Sequence, residues 1–229
     1  MTQITAPHTV KFIWCDERVV EQQEELLLEY NLEIVVDGQL MLHCACTPTD
    51  IESLVVGRLY SEGRIETMDD MATCHVREDA CRAEVTLRKN GKVPPVVQKK
   101  NFSWQPEWIF KLAEQFNADT VIHRRTSCTQ SCLLAQKDQI LYAAEDISRH
   151  NAIDKAIGWG LRQGLDLKEC ILYTSGRVPV DMMQKVVHAG IPLIISNTAP
   201  TRDAVLLAEQ NGVTLIGGVK KDRLKVYTS

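Results

Sequence analysis

No stretch of this chain approaches the ~20 consecutive apolar residues that a membrane-spanning helix needs, so a bilayer-crossing segment is not expected. The opening residues, MTQITAPHTVKF, lack a basic region followed by an apolar core, do not read as a secretory signal, and point to the cytoplasm. Charge of one sign is also missing: the net charge is −4, which gives no electrostatic reason to expect nucleic acid as a partner. The pairs Lys99-Lys100 and Lys220-Lys221 are too short for a polyanion, although a few local charges suffice for a nucleotide-sized anion. There is no Walker A loop, Rossmann glycine fingerprint or Ser nucleophile elbow. The H-x-E and P-C-x-x-C strings of a zinc deaminase are absent as well. Internal repeats and low-complexity segments are lacking. The 8 cysteines do not form two close pairs at finger-like separation, so no metal site is expected. In the cytoplasm they are expected as thiols, most of them small buried hydrophobes.

What is present is an ordinary folding composition, 229 residues with 45% hydrophobic, enough for one large domain or two small ones. In the first half, Leu32, Ile34 and Val36 form an apolar run that Asp37-Gly38 turns back into Leu40–Cys46, which predicts a β-hairpin. Thr47-Pro48-Thr49-Asp50 predicts a helix start, with Thr47 as cap, followed by an apolar face of Ile51, Leu54, Val55 and Leu59 and a stop at Gly63. Ala83–Leu87 alternates as a strand before an Asn90-Gly91 turn. Val93-Pro94-Pro95-Val96 is the candidate linker, because paired prolines favour an extended chain.

Beyond the linker the rhythm becomes strand and helix in alternation. Pro106 opens a helix burying Ile109, Leu112, Ala113 and Phe116; Ile140–Ala144, Cys170–Tyr173, Ile191–Ile195 and Val213–Ile216 read as strands. Helices follow at Asn151 (as cap), Asp181–His188 and Arg202–Gln210, and Leu224–Tyr227 is a possible edge strand. This predicts an α/β layer with a largely parallel sheet.

In such sheets ligands bind beyond the carboxyl ends of strands. Three loops qualify: Glu145-Asp146-Ile147-Ser148-Arg149-His150-Asn151, Thr174-Ser175-Gly176-Arg177, and Ser196-Asn197-Thr198-Ala199-Pro200-Thr201. Hydroxyl side chains and free N–H groups at helix starts suit phosphate or carboxylate, although the same residues serve equally as plain helix caps. A separate feature is Thr126-Ser127-Cys128-Thr129-Gln130-Ser131-Cys132, preceded by His123, Arg124 and Arg125. If helical, the segment sets Cys128 and Cys132 one turn apart beside cations, as a sulfur-carrying thiol and its resolving partner require; two buried thiols are the plainer alternative.

EDISRHNAIDKAIG (Glu145–Gly158), TSGR (Thr174–Arg177), KVVHAGIP with APT (Ala199–Thr201), TLIGGVKKDRLKVYT at the end, and CTPTDIESLVVGRLYSEGRI in the first half together resemble the FdhD/NarQ family of formate dehydrogenase accessory proteins. The resemblance covers nearly the whole chain in order. It implies an α/β fold in two domains: residues 1–98 as a smaller α+β N-terminal domain and residues 99–229 as a cytidine-deaminase-like, three-layer domain. It also implies a cytoplasmic homodimer that takes persulfide sulfur from a cysteine desulfurase and passes it to a molybdenum cofactor, bis-molybdopterin guanine dinucleotide, for formate dehydrogenase or a related molybdoenzyme. Guanine nucleotides are implied for the same pockets.

Carried onto this sequence, the implied cofactor-binding residues are Arg149, His150, Asn151, Asp154, Ser175, Gly176, Arg177, Ser196 and Thr201. The C-terminal stretch Gly218, Val219, Lys220, Lys221, Asp222, Arg223 joins them in place of the family's Phe-x-Arg-x-x-Arg. The family's reactive Ser-Cys-Gly-x-Cys-Gly loop is missing, since Lys100-Asn101-Phe102 runs straight into the Pro106 helix. Ile147-Ser148, Pro179 and Asp181 are further departures. Two functions follow. Either Cys128 and Cys132 have taken over as the catalytic pair of a sulfurtransferase, or the chain is a non-catalytic paralogue that binds molybdopterin or guanine nucleotide without moving sulfur.

Overall fold

The protein is described by a computed structural model covering residues 2–88 and 102–229. The Asn90-Gly91 turn, the proline linker at residues 93–96, the domain boundary after residue 98 and Lys100-Asn101 lie outside the described residues. Among the described residues no helix is long and apolar enough to cross a membrane.

The chain opens with an antiparallel ribbon of β1 (Thr5–Ile13) and β2 (Val19–Leu27), which among the described residues pair only with each other. Then β3 (Tyr30–Val36) and β4 (Gln39–Cys46) form the expected hairpin. Its two-residue turn has Asp37 at φ 50 and Gly38 at φ 79, the left-handed pair that matches strand twist. Helix α1 (Ile51–Ser61) starts later than the Thr-Pro signal indicates, and this is a correction. Asp50, not Thr47, is the cap, with its carboxylate accepting from Ser53 N. The stop at Gly63 holds: Glu62 N donates to Arg58 O and Arg64 N to Leu59 O. β5 (Met71–Val76) and β6 (Arg82–Leu87) complete a four-stranded sheet ordered β4-β3-β6-β5. Helix α1 buries Leu54, Val55 and Leu59 against Leu32, Ile34 and Val85 of that sheet.

After α2 (Pro106–Asp119) and the short α3 (Val121–Thr126), a six-stranded sheet forms from β7 (Gln130–Gln136), β8 (Gln139–Asp146), β9 (Ile171–Thr174), β10 (Leu193–Ser196), β11 (Thr214–Gly217) and β12 (Lys225–Thr228). The order is β12-β11-β10-β9-β7-β8. Only β9, β10 and β11 pair in parallel, while β7, β8 and β12 join by antiparallel ladders. The sheet is therefore mixed, not largely parallel, because β7–β8 is a hairpin whose first strand the sequence pattern hides. α4 (Arg149–Arg162), α5 (Val180–His188) and α6 (Arg202–Asn211) cover one face through Ile153, Ile157, Met182, Val186 and Ala204. α2 covers the other through Ile109, Leu112 and Phe116, giving three layers.

The two sheets are joined where α1 crosses α4. A Cβ on Gly57 would fall 1.8 Å from Asp154 O, and one on Gly158 would fall 2.0 Å from Ser53 O. The helices thus touch backbone to backbone, a contact only glycine permits.

Candidate functional site

Strand β8 runs parallel to β9 because both are antiparallel to β7, so the ends of β8, β9 and β10 lie on one edge of the sheet. There the three polar loops meet around a cavity of about 760 Å³ lined by Gln130, Ile147, Ser148, Arg149, His150, Ser175, Gly176, Arg177 and Thr198. Its rim is tied together internally. Ser131 N donates to Ser175 Oγ (2.9 Å) and Ser175 N to Ser131 O (2.9 Å). Ser196 Oγ donates to Gly176 O (2.8 Å) and accepts from Thr198 N (2.9 Å). Gly176 is closely packed: a Cβ would sit 3.1 Å from Gln130 Oε1 and 3.3 Å from Arg149 Cβ.

The cavity's lining is chemically suited to an anion. The first turn of α4 delivers Arg149 and His150 with its positive dipole end, and Ser148 makes no side-chain capping bond there. Arg149 Nε is buried without a hydrogen-bond partner among the described residues. His150 Nε2 lies 3.3 Å from Asp181 Oδ2. Burial pushes the His150 pKa below its ordinary 6.5, the Asp181 carboxylate works against that shift, and Lys185, Arg149 and Arg58 add to it. Because the folded value lies below the unfolded one, His150 contributes stability that is complete above about pH 6.5 and is lost as pH falls through the folded value. An NMR titration is expected to place its midpoint under 6.5, and Asp181→Asn should lower it further; an upward move would contradict this geometry.

A second cavity, about 830 Å³, is lined by Phe110, Lys111, Ala113, Glu114, Tyr173, Asn197, Val219, Lys220 and Lys221. Tyr173 Oη donates to Asn197 Oδ1 at 2.6 Å. The turn carrying the lysines is anchored by Gly218 N to Thr198 O (2.6 Å) and closed by Lys220 N to Arg223 O (2.8 Å). Gly218 adopts φ 60, the left-handed region where glycine fits readily.

Of the residues selected from sequence, Arg149, His150, Ser175, Gly176 and Arg177 share the first cavity, and Val219, Lys220 and Lys221 the second. Gly176 and Arg177 precede α5 by several residues, so the helix start at the first cavity is that of α4. Asp222 and Arg223 are exposed on the turn beyond. Thr201 caps α6, accepting from Ala204 N. Ser196 is fully buried behind the rim. Asn151, the expected cap, lies inside the first turn of α4, where Ser148 is the cap. Its amide donates to Ala45 O (2.8 Å) and Asp146 Oδ1 (2.9 Å). Asp154 is an interior charge, held by Lys185 Nζ (2.6 Å), Arg58 Nε (2.8 Å) and Ser61 Oγ (2.9 Å). Gln130, Ile147, Ser148 and Thr198 complete the first cavity; the last three belong to the loops expected to bind a ligand, though not to the residues chosen within them, and Gln130 stood only in the cysteine segment because β7 was not recognised.

The two thiols part company. Cys128 is exposed in the loop after α3, which ends on Ser127 at φ 52. Cys132 is fully buried in β7, among Ala152, Ile153 and Met182. Burial pushes its pKa up well above the ordinary thiol value. The segment is extended, not helical, so the one-turn spacing does not arise. Two of the three flanking basic residues have partners of their own, Arg125 with Glu25 (2.7 Å) and His123 Nδ1 with Thr129 O (2.8 Å). The Glu145 carboxylate holds this loop from below, accepting from Ile122 N, His123 N and Thr129 Oγ1. Gln130 links it to the cavity, only two residues from Cys128.

Fold and site together define a mixed α/β protein whose main sheet carries a polar, arginine-lined cavity at one edge and an exposed thiol two residues from its lining. The chain belongs to the FdhD/NarQ family, whose profile it matches over residues 27–95 and 88–229. It is 28% identical to the sulfur carrier protein FdhD of Halalkalibacterium halodurans, covering 93% of this chain and 90% of that one. Its similarity to the protein of the same name from Methanothermobacter thermautotrophicus is 28% identity over 90% of each chain. A Desulfotalea psychrophila protein described as a formate dehydrogenase accessory protein superimposes with a TM-score of 0.88 at 23% identity, over 99% of this chain and 98% of that one, a likeness of fold.

Proposed function

We propose that this chain is a sulfur carrier of the FdhD type that works in the cytoplasm. It would take persulfide sulfur from a cysteine desulfurase on Cys128 and pass it to a molybdenum cofactor destined for formate dehydrogenase or a related molybdoenzyme. The observation that carries the reading is the exposed Cys128, two residues from the lining of a cavity equipped for anions. In loading, the Cys128 thiolate attacks the terminal sulfur of the donor's persulfide; a new S–S bond forms and the donor's own cysteine leaves as thiolate.

The cargo, bis-molybdopterin guanine dinucleotide, carries phosphates and guanine. Arg149, Arg177, His150 and the Ser148, Ser175 and Thr198 hydroxyls fit the phosphates, and the orphaned Arg149 Nε supplies a donor awaiting an acceptor. Lys220 and Lys221 with Tyr173 and Phe110 offer a second, aromatic-walled pocket. The deaminase-like reading of the larger domain finds support in its hairpin followed by parallel strands with helices on both faces.

Calorimetric titration with GDP tests the ligand half. Arg177→Ala is expected to weaken binding about tenfold, the worth of one charge-assisted contact; unchanged affinity would remove GDP from this cavity. The second reading, a paralogue that binds without moving sulfur, is favoured by one observation, the burial of Cys132 away from Cys128, which leaves no resolving thiol at hand. It is the outcome if wild-type protein binds GDP but gains no sulfur from a desulfurase and cysteine.

A further inference from the structure

We propose that Thr47, from the hairpin–helix connection of the N-terminal sheet, is a positioning residue of the anion cavity; the inference rests on the nucleotide-binding reading above. Thr47 is fully buried and lies far in sequence from the cavity, yet its N–H and its hydroxyl both grip the loop that opens it, and its carbonyl meets Lys155 of α4. Its N–H donates to Asp146 Oδ2 (3.1 Å), its hydroxyl oxygen accepts from Ile147 N (3.1 Å), and its carbonyl accepts from Lys155 Nζ (3.0 Å). Asp146 relays the grip: its other oxygen accepts from Ser148 N (3.0 Å) and Asn151 Nδ2 (2.9 Å). Ile147, Ser148, Arg149 and His150 line the cavity consecutively, so the path from Thr47 to the lining is one hydrogen bond long. The Thr-Pro signal is thus used not for a helix cap, which Asp50 provides, but to hold a binding loop belonging to the other sheet.

The hydroxyl is the group to remove, because the two backbone contacts survive substitution. Thr47→Val keeps the shape and leaves the Ile147 N–H without its acceptor, whereas Thr47→Ser keeps the oxygen. Two readouts decide the matter. Hydrogen exchange of the amides of residues 147–150 is expected to quicken in Thr47→Val relative to amides of β9 and β10, and to stay near wild type in Thr47→Ser. GDP affinity is expected to fall about tenfold in Thr47→Val and to recover to within about twofold in Thr47→Ser. Unchanged local exchange, or quickening spread evenly over the molecule, would overturn the proposal, as would wild-type GDP affinity in Thr47→Val. If wild-type protein itself binds no GDP, the nucleotide reading fails separately and the exchange comparison still decides the role of Thr47. Should Thr47→Val not fold, Thr47→Ala serves in its place.

Discussion

Cys128→Ser is expected to abolish sulfur loading: after incubation with a cysteine desulfurase and cysteine it keeps its mass, while wild type gains a reducible ~32 Da. The expectation comes from sorting the thiols by access. Only Cys15 and Cys128 are exposed, and Cys46 and Cys132 in the two cores are buried beyond reach of a second protein. Burial also pushes Cys46 up to about 12 and Cys74 and Cys170 up to about 11, so little thiolate forms at neutral pH. Cys15 is accessible but sits past the end of β1, whereas the ribbon meets α3 at Glu25 and Thr5. About eight residues of strand, roughly 26 Å, separate it from that end. Cys15→Ser should therefore load normally, and peptide mapping should place the sulfur on Cys128 and not on Cys132. Persulfide on Cys15, or undiminished loading of Cys128→Ser, would contradict the proposed carrier.

Lys155→Met is expected to destabilise the fold by about 3–5 kcal/mol, measured by urea unfolding at pH 7. Lys155 is fully buried, and its ammonium lies 2.7 Å from Asp146 Oδ2 while donating to Thr47 O, Thr49 Oγ1 (3.1 Å) and Glu145 O (3.3 Å). Methionine matches the stem but strands the Asp146 carboxylate and two carbonyls away from water. The backbone N–H of Thr47 and Ser148 still reach Asp146, which softens the loss but cannot neutralise a charge. A loss under ~1 kcal/mol, typical of an exposed pair, would mean that this lysine is solvated in solution.

The contrast between Lys155 and Ser175 shows where sequence reasoning stopped. Loops between a strand and a helix are legible because hydroxyls, glycine and a following apolar helix announce them, and Ser175, Gly176 and Arg177 do line the cavity. Asp154 was expected at the cofactor and Lys155 carried no signal, since nothing in a single sequence states that another helix will lie across α4. The hairpin at Asp37-Gly38 and the helices from Pro106 and Arg202 were legible from turn chemistry and period. β2 was not, because VVEQQEELL is exposed on both faces and so carries no alternation. β7 was hidden for the opposite reason: Ser131 to Ala135 are all buried, leaving no polar face to mark the period of a strand. That omission produced the helical spacing of Cys128 and Cys132, which the sheet replaces with one thiol outside and one within.

The glycine crossing of α1 and α4 bears on how a large ligand gets in. Clefts between two sheets commonly admit ligands by swinging apart about a hinge. Here the seam is closed by main chain against main chain at Gly57 and Gly158, with the Arg58–Asp154–Lys185 ion cluster beside it. Parting it would expose bare peptide and strand buried charge in the same movement. A ligand of the proposed kind would therefore have to enter past the loop tips, over a seam that main-chain packing and buried charge hold shut.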